Sequence, residues 1–294
     1  MVLGSTRLTG VTVEPPPEYV LSAFGLTGVQ PVPLGASWEG GWRCGEVVLS
    51  MVADNARAAW SARVRETLFV DGVRLARPVR STDGRYVVSG WRSDTFVAGT
   101  PEARHDEVVS AAVRLHEATG KLERPRFLTQ GPTAHWADVD IFISADRAAW
   151  EDRPLQSVPP EAWATPPGAD GQRSIDLINQ LASLRKPTKS PNQLVHGDLY
   201  GTVLFMGTAA PGITDITPYW RPASWAAGVV VVDALSWGEA DDGLIERWNA
   251  LPEWPQMLLR ALIFRLAVHT LHPRSRVEAF PGLVRTAALV RLVL

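Results

Sequence analysis

The spacing of apolar residues divides the chain into a part rich in predicted strands and a part rich in predicted helices. Up to residue 91, short apolar and β-branched runs bounded by turn residues predict strands, and two segments have helical spacing. The predicted strands are 30–34, 42–51, 73–79 and 85–91, and the predicted helices are 19–24 and 55–68. A glycine-rich turn, 35–41, separates the first two strands.

From residue 92 onward, helical spacing dominates. A proline at its start and a glycine after its end delimit a predicted helix over 101–119. The other predicted helices are 136–150, 175–184, 225–237, 242–250, 255–272 and 281–294, and the short predicted strands are 193–196, 203–206 and 213–216. This segregation predicts an α+β protein with a strand-rich N-terminal lobe, 1–91, and a mainly helical C-terminal lobe, 92–294.

Composition and charge narrow the class of protein. The 294 residues are 46% hydrophobic and 20% charged, which is typical of a globular chain with a sizeable core. A net charge of −2 argues against a nucleic-acid partner. Cys44 is the only cysteine, which excludes an intrachain disulfide. Since no apolar run reaches the roughly 18 residues that a membrane span needs, we expect a cytoplasmic protein with no membrane partner.

Lysine is scarce in this chain. Only Lys121, Lys186 and Lys189 are lysines, so the predicted N-terminal lobe has none. The preference for arginine, together with abundant alanine, glycine and proline, indicates a GC-rich genome, and we expect an actinobacterial origin.

The sharpest chemical pattern is the triplet His196-Gly197-Asp198, which lies between two apolar, β-prone runs. A second aspartate, Asp215, follows 17 residues after Asp198 at the end of another short apolar run. Carboxylates at the ends of neighbouring short strands can face one site. There they can share a metal ion, or act as base and metal ligand.

These segments resemble the superfamily of aminoglycoside phosphotransferases and choline kinases, whose loop reads His-Gly-Asp, then Asn, an apolar strand and later Ile-Asp-aromatic. The resemblance covers most of the chain, including the helix end Leu115-His116. The segment 215–222 resembles an uncharacterised actinobacterial branch of kinase-like proteins. The resemblance to the superfamily implies a two-lobed protein-kinase-like fold, a small-molecule substrate, and ATP and Mg²⁺ as cofactors.

The resemblance also implies roles for individual residues. Asp198 would accept the proton of a substrate hydroxyl, Asp215 would bind the Mg²⁺ that bridges the ATP phosphates, and His196 would brace the loop. The glycine-rich turn would cover the phosphates, and its nucleotide-contacting positions would be Gly35, Ser37 and Gly40.

Two positions depart from the superfamily pattern. Ser50 stands where a strand lysine should pair with the phosphates, and Arg43 on the preceding strand is the nearby cationic candidate. Thr202 stands where an asparagine should bind the second Mg²⁺, and it offers a single oxygen as a poorer ligand. Losing one preorganised electrostatic contact costs about 10²–10³ in rate, so these changes predict a degenerate nucleotide site.

Aromatic residues supply the candidate substrate pocket. The chain has 12 tryptophans, most of which we expect in the core and between lobes. A second interpretation assigns some aromatic side chains to a pocket for an apolar or cationic substrate. The candidates near the motifs are Trp38, Tyr200, Tyr219 and Trp220.

Three hypotheses about function stay open at this point, and none of them implies an oligomeric state. The first is a kinase-fold enzyme of natural-product metabolism that uses Asp198 and Asp215 for acid–base chemistry, with one carboxylate protonated. The second is a working Mg-ATP kinase for the hydroxyl of an amino sugar or natural product, with Arg43 replacing the lysine. The third is a non-catalytic pseudokinase that serves as a binding module.

Overall fold

The computed structural model describes residues 14–129, 138–151, 155, 158 and 170–294. These residues form two compact units. The strand-rich unit contains the described residues up to Lys121 together with Asp198–Pro218. The helical unit contains the described residues of Leu122–Gly197 together with Tyr219–Leu294.

The regular elements mostly follow the predicted order. The strands are β1 Val32–Pro33, β2 Trp42–Cys44, β3 Val47–Met51, β4 Arg74–Leu75, β5 Pro78–Val79, β6 Val87–Val88, β7 Trp91–Thr95, β8 Gln193–His196, β9 Gly212–Ile213 and β10 Pro218–Arg221. The α-helices are α1 Glu18–Ala23, α2 Asn55–Thr67, α3 His105–Thr119, α4 Asp138–Trp150, α5 Gly171–Ala182, α6 Ala223–Trp237, α7 Leu244–Arg247, α8 Trp254–Leu271 and α9 Phe280–Leu292. The first two residues of the predicted helix 136–150 lie outside the described residues.

A mixed-length antiparallel sheet, ordered β1-β2-β3-β7-β5 with β6 also paired to β7, forms the core of the strand-rich unit. The predicted strand 42–51 is a hairpin, because Gly45 has a φ of 65° and turns the chain so that Cys44 pairs with Val47. Apolar side chains of β2 and β3, among them Cys44 and Leu49, pack with Val20 and Leu21 of α1.

The main difference between the predicted and the observed strands concerns β7. The predicted strand 85–91 stops at Val88, and the positive φ angles of Ser89 and Gly90 turn the chain into β7. This strand pairs along the whole of β3, from Val47 opposite Thr95 to Met51 opposite Trp91. Several residues of β7 are polar although they are buried. The strand therefore lacks the alternation of apolar and polar residues that predicts a strand. The lobe boundary after residue 91 stays a prediction, although the sheet continues past it to Thr95.

Two further predicted strands are altered. The predicted strand 73–79 is split between β4, which pairs in parallel with β9, and β5, which joins the main sheet. The predicted strand 203–206 is reduced to isolated bridges, Leu204 to Gly212 and Thr100 to Phe205. Gly99 permits the second bridge, because a Cβ there would lie 2.6 Å from the Phe205 carbonyl oxygen.

Helix α8 is the centre of the helical unit and packs against α4, α5, α6 and α9. Helix α6 is buried continuously from Ser224 to Ser236, as expected for a helix that is apolar on all sides. Its one acid, Asp233, is fully buried and receives two hydrogen bonds from Arg265 of α8, at 2.7 and 2.5 Å. In the described part of the chain, no helix combines the length and the apolar character needed to cross a membrane.

The buried Asp233–Arg265 pair yields a stability prediction. Asp233→Ala leaves a guanidinium without its carboxylate in the core, and we expect it to lower the free energy of unfolding by about 3–5 kcal/mol. Asp241→Ala, which breaks the exposed pair with Arg247, is the control and should cost less than about 1 kcal/mol. Denaturant unfolding of both variants measures the difference, and equal losses would contradict the assigned role of the pair.

Candidate functional site

The predicted catalytic triplet begins at the end of β8, which has the bounds that the sequence predicted. His196 is buried, and β8 pairs with β10. A Cβ on Gly197 would lie 2.4 Å from the Tyr219 ring, so only glycine fits at this position. The middle residue of the triplet is therefore fixed by an aromatic side chain from β10.

Asp198 opens a compact loop in the strand-rich unit and is 1% exposed. The hydroxyl of Thr202 donates to the carbonyl oxygens of Leu199, at 2.9 Å, and of Asp198, at 3.2 Å. Thr202 therefore holds the loop that carries Asp198. Its assignment as a ligand of a second Mg²⁺ stays a prediction.

Asp215 lies two residues after β9 and is surrounded by hydrogen-bond donors. Its Oδ1 accepts from the Ser61 hydroxyl at 2.6 Å, and its Oδ2 accepts from Arg92 Nη1 at 2.5 Å. Arg65 Nε is 3.4 Å from Oδ1. Both carboxylate oxygens of Asp215 are therefore engaged by protein side chains.

These contacts belong to a larger arginine–carboxylate cluster, which consists of Glu39, Arg65, Arg92, Asp94 and Asp215. Arg92 also contacts Glu39 at 3.2 Å and Asp94 at 3.3 Å. Arg65, which is fully buried, bonds Asp94 at 2.7 Å. Three carboxylates and two guanidinium groups give the cluster a formal charge of −1.

The register of the sheet explains how the cluster assembles. Arg92 and Asp94 are two apart on β7 and so lie on one face. Ser50 of β3 pairs directly with Arg92, so the position that lacks the expected lysine has an arginine as its cross-strand neighbour. Arg92 lies one residue beyond the end of the predicted strand 85–91, and the sequence therefore did not indicate it as a site residue. An arginine and an aspartate two apart in a β-prone run would have been the signal.

Helix α2 supplies the second cation. Arg65 is buried, while the adjacent Glu66 is exposed and bonds Arg80 and Tyr86. Ser61 and Arg65 are four apart and share the helix face that meets Asp215. The spacing of this serine and arginine on one helix face is the sequence signal that indicates the pair.

Arg92 is the cross-strand neighbour of Ser50, and the assignment of Arg43 as the cation that replaces the lysine stays a prediction. Arg43 donates to the carbonyl oxygen of Gly45 at 2.8 Å and pairs with Glu46 at 3.4 Å. Its guanidinium lies 3.9 Å from the centre of the Phe96 ring. These contacts are those of a surface strand arginine.

The charges of the cluster shift the pKa values of Asp215 and Arg92. Burial alone would raise the pKa of Asp215, but Arg92, Arg65 and the Ser61 hydrogen bond outweigh it and hold the pKa below its usual range. Burial likewise opposes the charge of Arg92, and the carboxylates of Asp215, Glu39 and Asp94 more than offset this and raise its pKa. Asp215 is thus ionised at neutral pH and cannot be the protonated acid that the first hypothesis allowed.

The glycine-rich turn 35–41 contains one turn of 3-10 helix, Ala36–Trp38. The backbone N–H groups of four consecutive residues, 38–41, donate hydrogen bonds within the turn. The acceptors are the carbonyl oxygens of Gly35, Ala36 and Trp38. The Ser37 carbonyl oxygen accepts from the Thr214 hydroxyl at 3.1 Å, which ties the turn to the Asp215 segment. The Ser50 hydroxyl donates to the Trp38 carbonyl oxygen at 3.5 Å.

Trp38 is packed in the core of the strand-rich unit, and its assignment to a substrate pocket stays a prediction. Its side chain is 5% exposed and stacks on Phe96, with ring centres 5.9 Å apart. It also packs with Val48, Val97 and Leu204. The aromatic position in the turn is explained by apolar packing.

The other aromatic candidates are also mostly buried. Tyr200 stacks on His105 in the strand-rich unit, and Tyr219 meets Trp225 edge-on in the helical unit. Both tyrosines are 7% exposed. Trp220 is half-buried, so its assignment to a substrate pocket stays a prediction.

The residues present do not fit Mg²⁺ and ATP in this conformation. The oxygens of Asp215 already accept hydrogen bonds, and the described residues contain no group of three or more His, Cys, Asp or Glu side chains that could hold a metal ion. The turn expected to cover the phosphates uses four of its N–H groups internally. We therefore derive no step of a reaction through either group.

Comparison with known proteins identifies the fold. No family model matches the chain, and no curated protein matches its sequence. The apo form of a thermostable mutant of an aminoglycoside phosphotransferase matches with a TM-score of 0.57 and 13% identity, covering 94% of this chain and 98% of that chain. The microcompartment-associated aminopropanol kinase matches with a TM-score of 0.55 and 17% identity, covering 93% and 94%.

A third solved structure, an aminoglycoside phosphotransferase from Alicyclobacillus acidocaldarius, gives a TM-score of 0.53 and 14% identity and covers 96% of both chains. The fold is the two-lobed, α+β, protein-kinase-like fold of these small-molecule kinases, and the predicted resemblance is confirmed at that level. Identities this low establish the fold alone. The relation to an actinobacterial branch stays a prediction.

The arginine–carboxylate cluster yields a prediction about stability and pH. Asp215→Asn removes the charge of a carboxylate that contacts both buried guanidinium groups, and we expect a loss of about 3–5 kcal/mol at pH 7. Because the pKa of Asp215 is lowered in the folded protein, its contribution is complete above the unfolded value of about 3.9 and is lost as the pH falls toward the folded value. The difference in unfolding free energy between the two proteins should therefore shrink from pH 7 to pH 3.

Denaturant unfolding at several pH values measures this difference. Asp54→Asn is the matched control. The Asp54 carboxylate caps α2, at 2.8 and 3.1 Å from two backbone nitrogens, and asparagine caps equally well. Its ion pair with Arg57, at 3.4 Å, is partly solvent-exposed and contributes little. A loss in Asp215→Asn no larger than in this control would refute the structural role of Asp215.

Proposed function

We propose that this protein is a kinase-fold enzyme that acts on a small molecule through Asp198 and has a degenerate nucleotide site. The observation that supports this most directly is the engagement of both Asp215 oxygens by Ser61 and Arg92. A Mg²⁺ ion would have to displace a short, buried ion pair to reach this carboxylate. Asp215 is therefore proposed as the structural partner of Arg92.

The proposal divides the roles of the two carboxylates. Asp215 is held in its ionised form by its low pKa and by two arginines, so it supplies charge balance and no proton. Asp198 lies in a loop that Thr202 and the close contact at Gly197 hold in place. A positioned carboxylate can take a proton from a substrate hydroxyl or amine, a contribution of about 10²–10⁴ in rate.

Mg-ATP-dependent phosphorylation of a small-molecule hydroxyl is the second candidate. It is favoured by Arg92, which lies opposite Ser50 and so places a cation next to the position where the superfamily has its lysine. It is also favoured by solved relatives in fold, one of which binds AMP-PNP and hygromycin B together. This candidate requires Asp215 and the glycine-rich turn to exchange their present hydrogen bonds for ligand contacts.

The third candidate is a pseudokinase that only binds its ligand. It differs from the first two candidates because Asp198 then has no part in converting a substrate. Natural-product metabolism and a cytoplasmic location, expected from the sequence, remain part of the proposal.

Titration with Mg-ATP separates the degenerate site from a working kinase. We expect a Kd of about 1 mM or weaker, the same with Mg²⁺ as with EDTA, because no carboxylate is available to the metal. Isothermal titration calorimetry at a fixed ionic strength measures both values. A Mg²⁺-dependent Kd in the low micromolar range would overturn the proposal and favour the kinase.

Asp198→Asn separates an enzyme from a binding module. Compounds with hydroxyl or amine groups are first selected by thermal shift of the natural protein, and their conversion is followed by mass spectrometry. We expect Asp198→Asn to keep the thermal shift and to lose turnover by about 10²-fold or more. Asp71→Asn, an exposed change of equal charge, should keep both. Selected ligands that the natural protein leaves unconverted, with and without Mg-ATP, would support the pseudokinase.

A further inference from the structure

Glu39 is an unusual residue for a turn expected to cover phosphate groups. It follows the 3-10 helix Ala36–Trp38 and has a φ of 57°, a left-handed conformation that is strained for a residue with a side chain. Its carboxylate lies 3.2 Å from Arg92 Nη2. A negative charge thus sits in the turn and faces the buried cation next to Ser50.

The charge balance of the cluster singles out Glu39. Asp94 and Asp215 each contact both Arg65 and Arg92, so these two carboxylates already balance the two guanidinium groups. Glu39 adds a third negative charge. Its side chain is 24% exposed, against 13% for Asp215 and 3% for Asp94.

We infer that Glu39 is a built-in competitor for the phosphate group of a nucleotide, occupying on Arg92 the place that the phosphate would take. The inference rests on the proposed function in assuming that any nucleotide binds in the strand-rich unit beside Ser50. It adds a specific cause for weak binding there, which is the turn's own carboxylate.

Displacement of Glu39 is compatible with the rest of the cluster. If the Glu39 side chain withdraws, Arg92 keeps its contacts with Asp215 and Asp94, and Arg65 is untouched. The left-handed backbone at Glu39 can relax when the turn moves. The bound phosphate would then restore the charge that Glu39 had supplied.

The test uses the full-length protein with Glu39→Gln, which keeps the size of the side chain and removes its charge. Calorimetric titration with ADP in EDTA, without metal, should show affinity higher than that of the natural protein by about 10- to 100-fold, because a like charge next to the phosphate is gone. Adenosine, which has no phosphate, should bind both proteins within about twofold. Glu18→Gln, an exposed change of equal charge in α1, should leave the affinity for ADP unchanged.

Glu39→Gly is the second variant, because it removes the charge and also relieves the left-handed strain. It should gain affinity for ADP at least as strongly as Glu39→Gln. Unchanged ADP affinity in both variants, with cooperative thermal unfolding retained, would overturn the inference. An equal gain for ADP and adenosine would overturn it too, because the turn would then obstruct the nucleoside sterically. Both results compare variant with natural protein, so they are distinct from the absolute Mg-ATP affinity that tests the proposed function.

Discussion

The ion pair between Arg92 and Asp215 is the interaction on which the arrangement of the site depends. A guanidinium that is 6% exposed is tolerated only when carboxylates compensate its charge, and Arg92 obtains them from three parts of the chain. Strand β7 provides Asp94, the segment after β9 provides Asp215, and the glycine-rich turn provides Glu39. Arg65 of α2 is bound into the same cluster.

The two motif carboxylates consequently have opposite physical situations. Asp215 forms ion pairs with arginines of β7 and α2, and these contacts lower its pKa. Asp198 lies on a loop whose shape comes from short-range contacts, namely the Thr202 hydroxyl on two loop carbonyl groups. A fold shared with small-molecule kinases thus holds one carboxylate in buried ion pairs and another on a loop with its own short-range hydrogen bonds.

Local features of this chain could be predicted and long-range ones could not. Strand β8 and the glycine of the triplet follow from a short apolar run and a residue type, and both have their expected places. The partners of Asp215 are 123 and 154 residues away along the chain, where periodicity carries no information. Strand β7 was missed for a related reason: its polar residues are buried because distant charges pair with them. Adjacent positions on α2 show the same limit, since packing decided that Arg65 is buried and Glu66 exposed.

The shared carboxylates of the cluster also constrain how this site can change over generations. Arg65 and Arg92 are each bound to Asp94 and Asp215, so a substitution at any one of these four positions removes two ion-pair contacts at once. A lysine at position 50 would add a third cation next to Arg92, and an acidic residue at position 65 would face two carboxylates. A single substitution in this cluster therefore disturbs several ion pairs, whereas changes at several positions together can keep the charges paired.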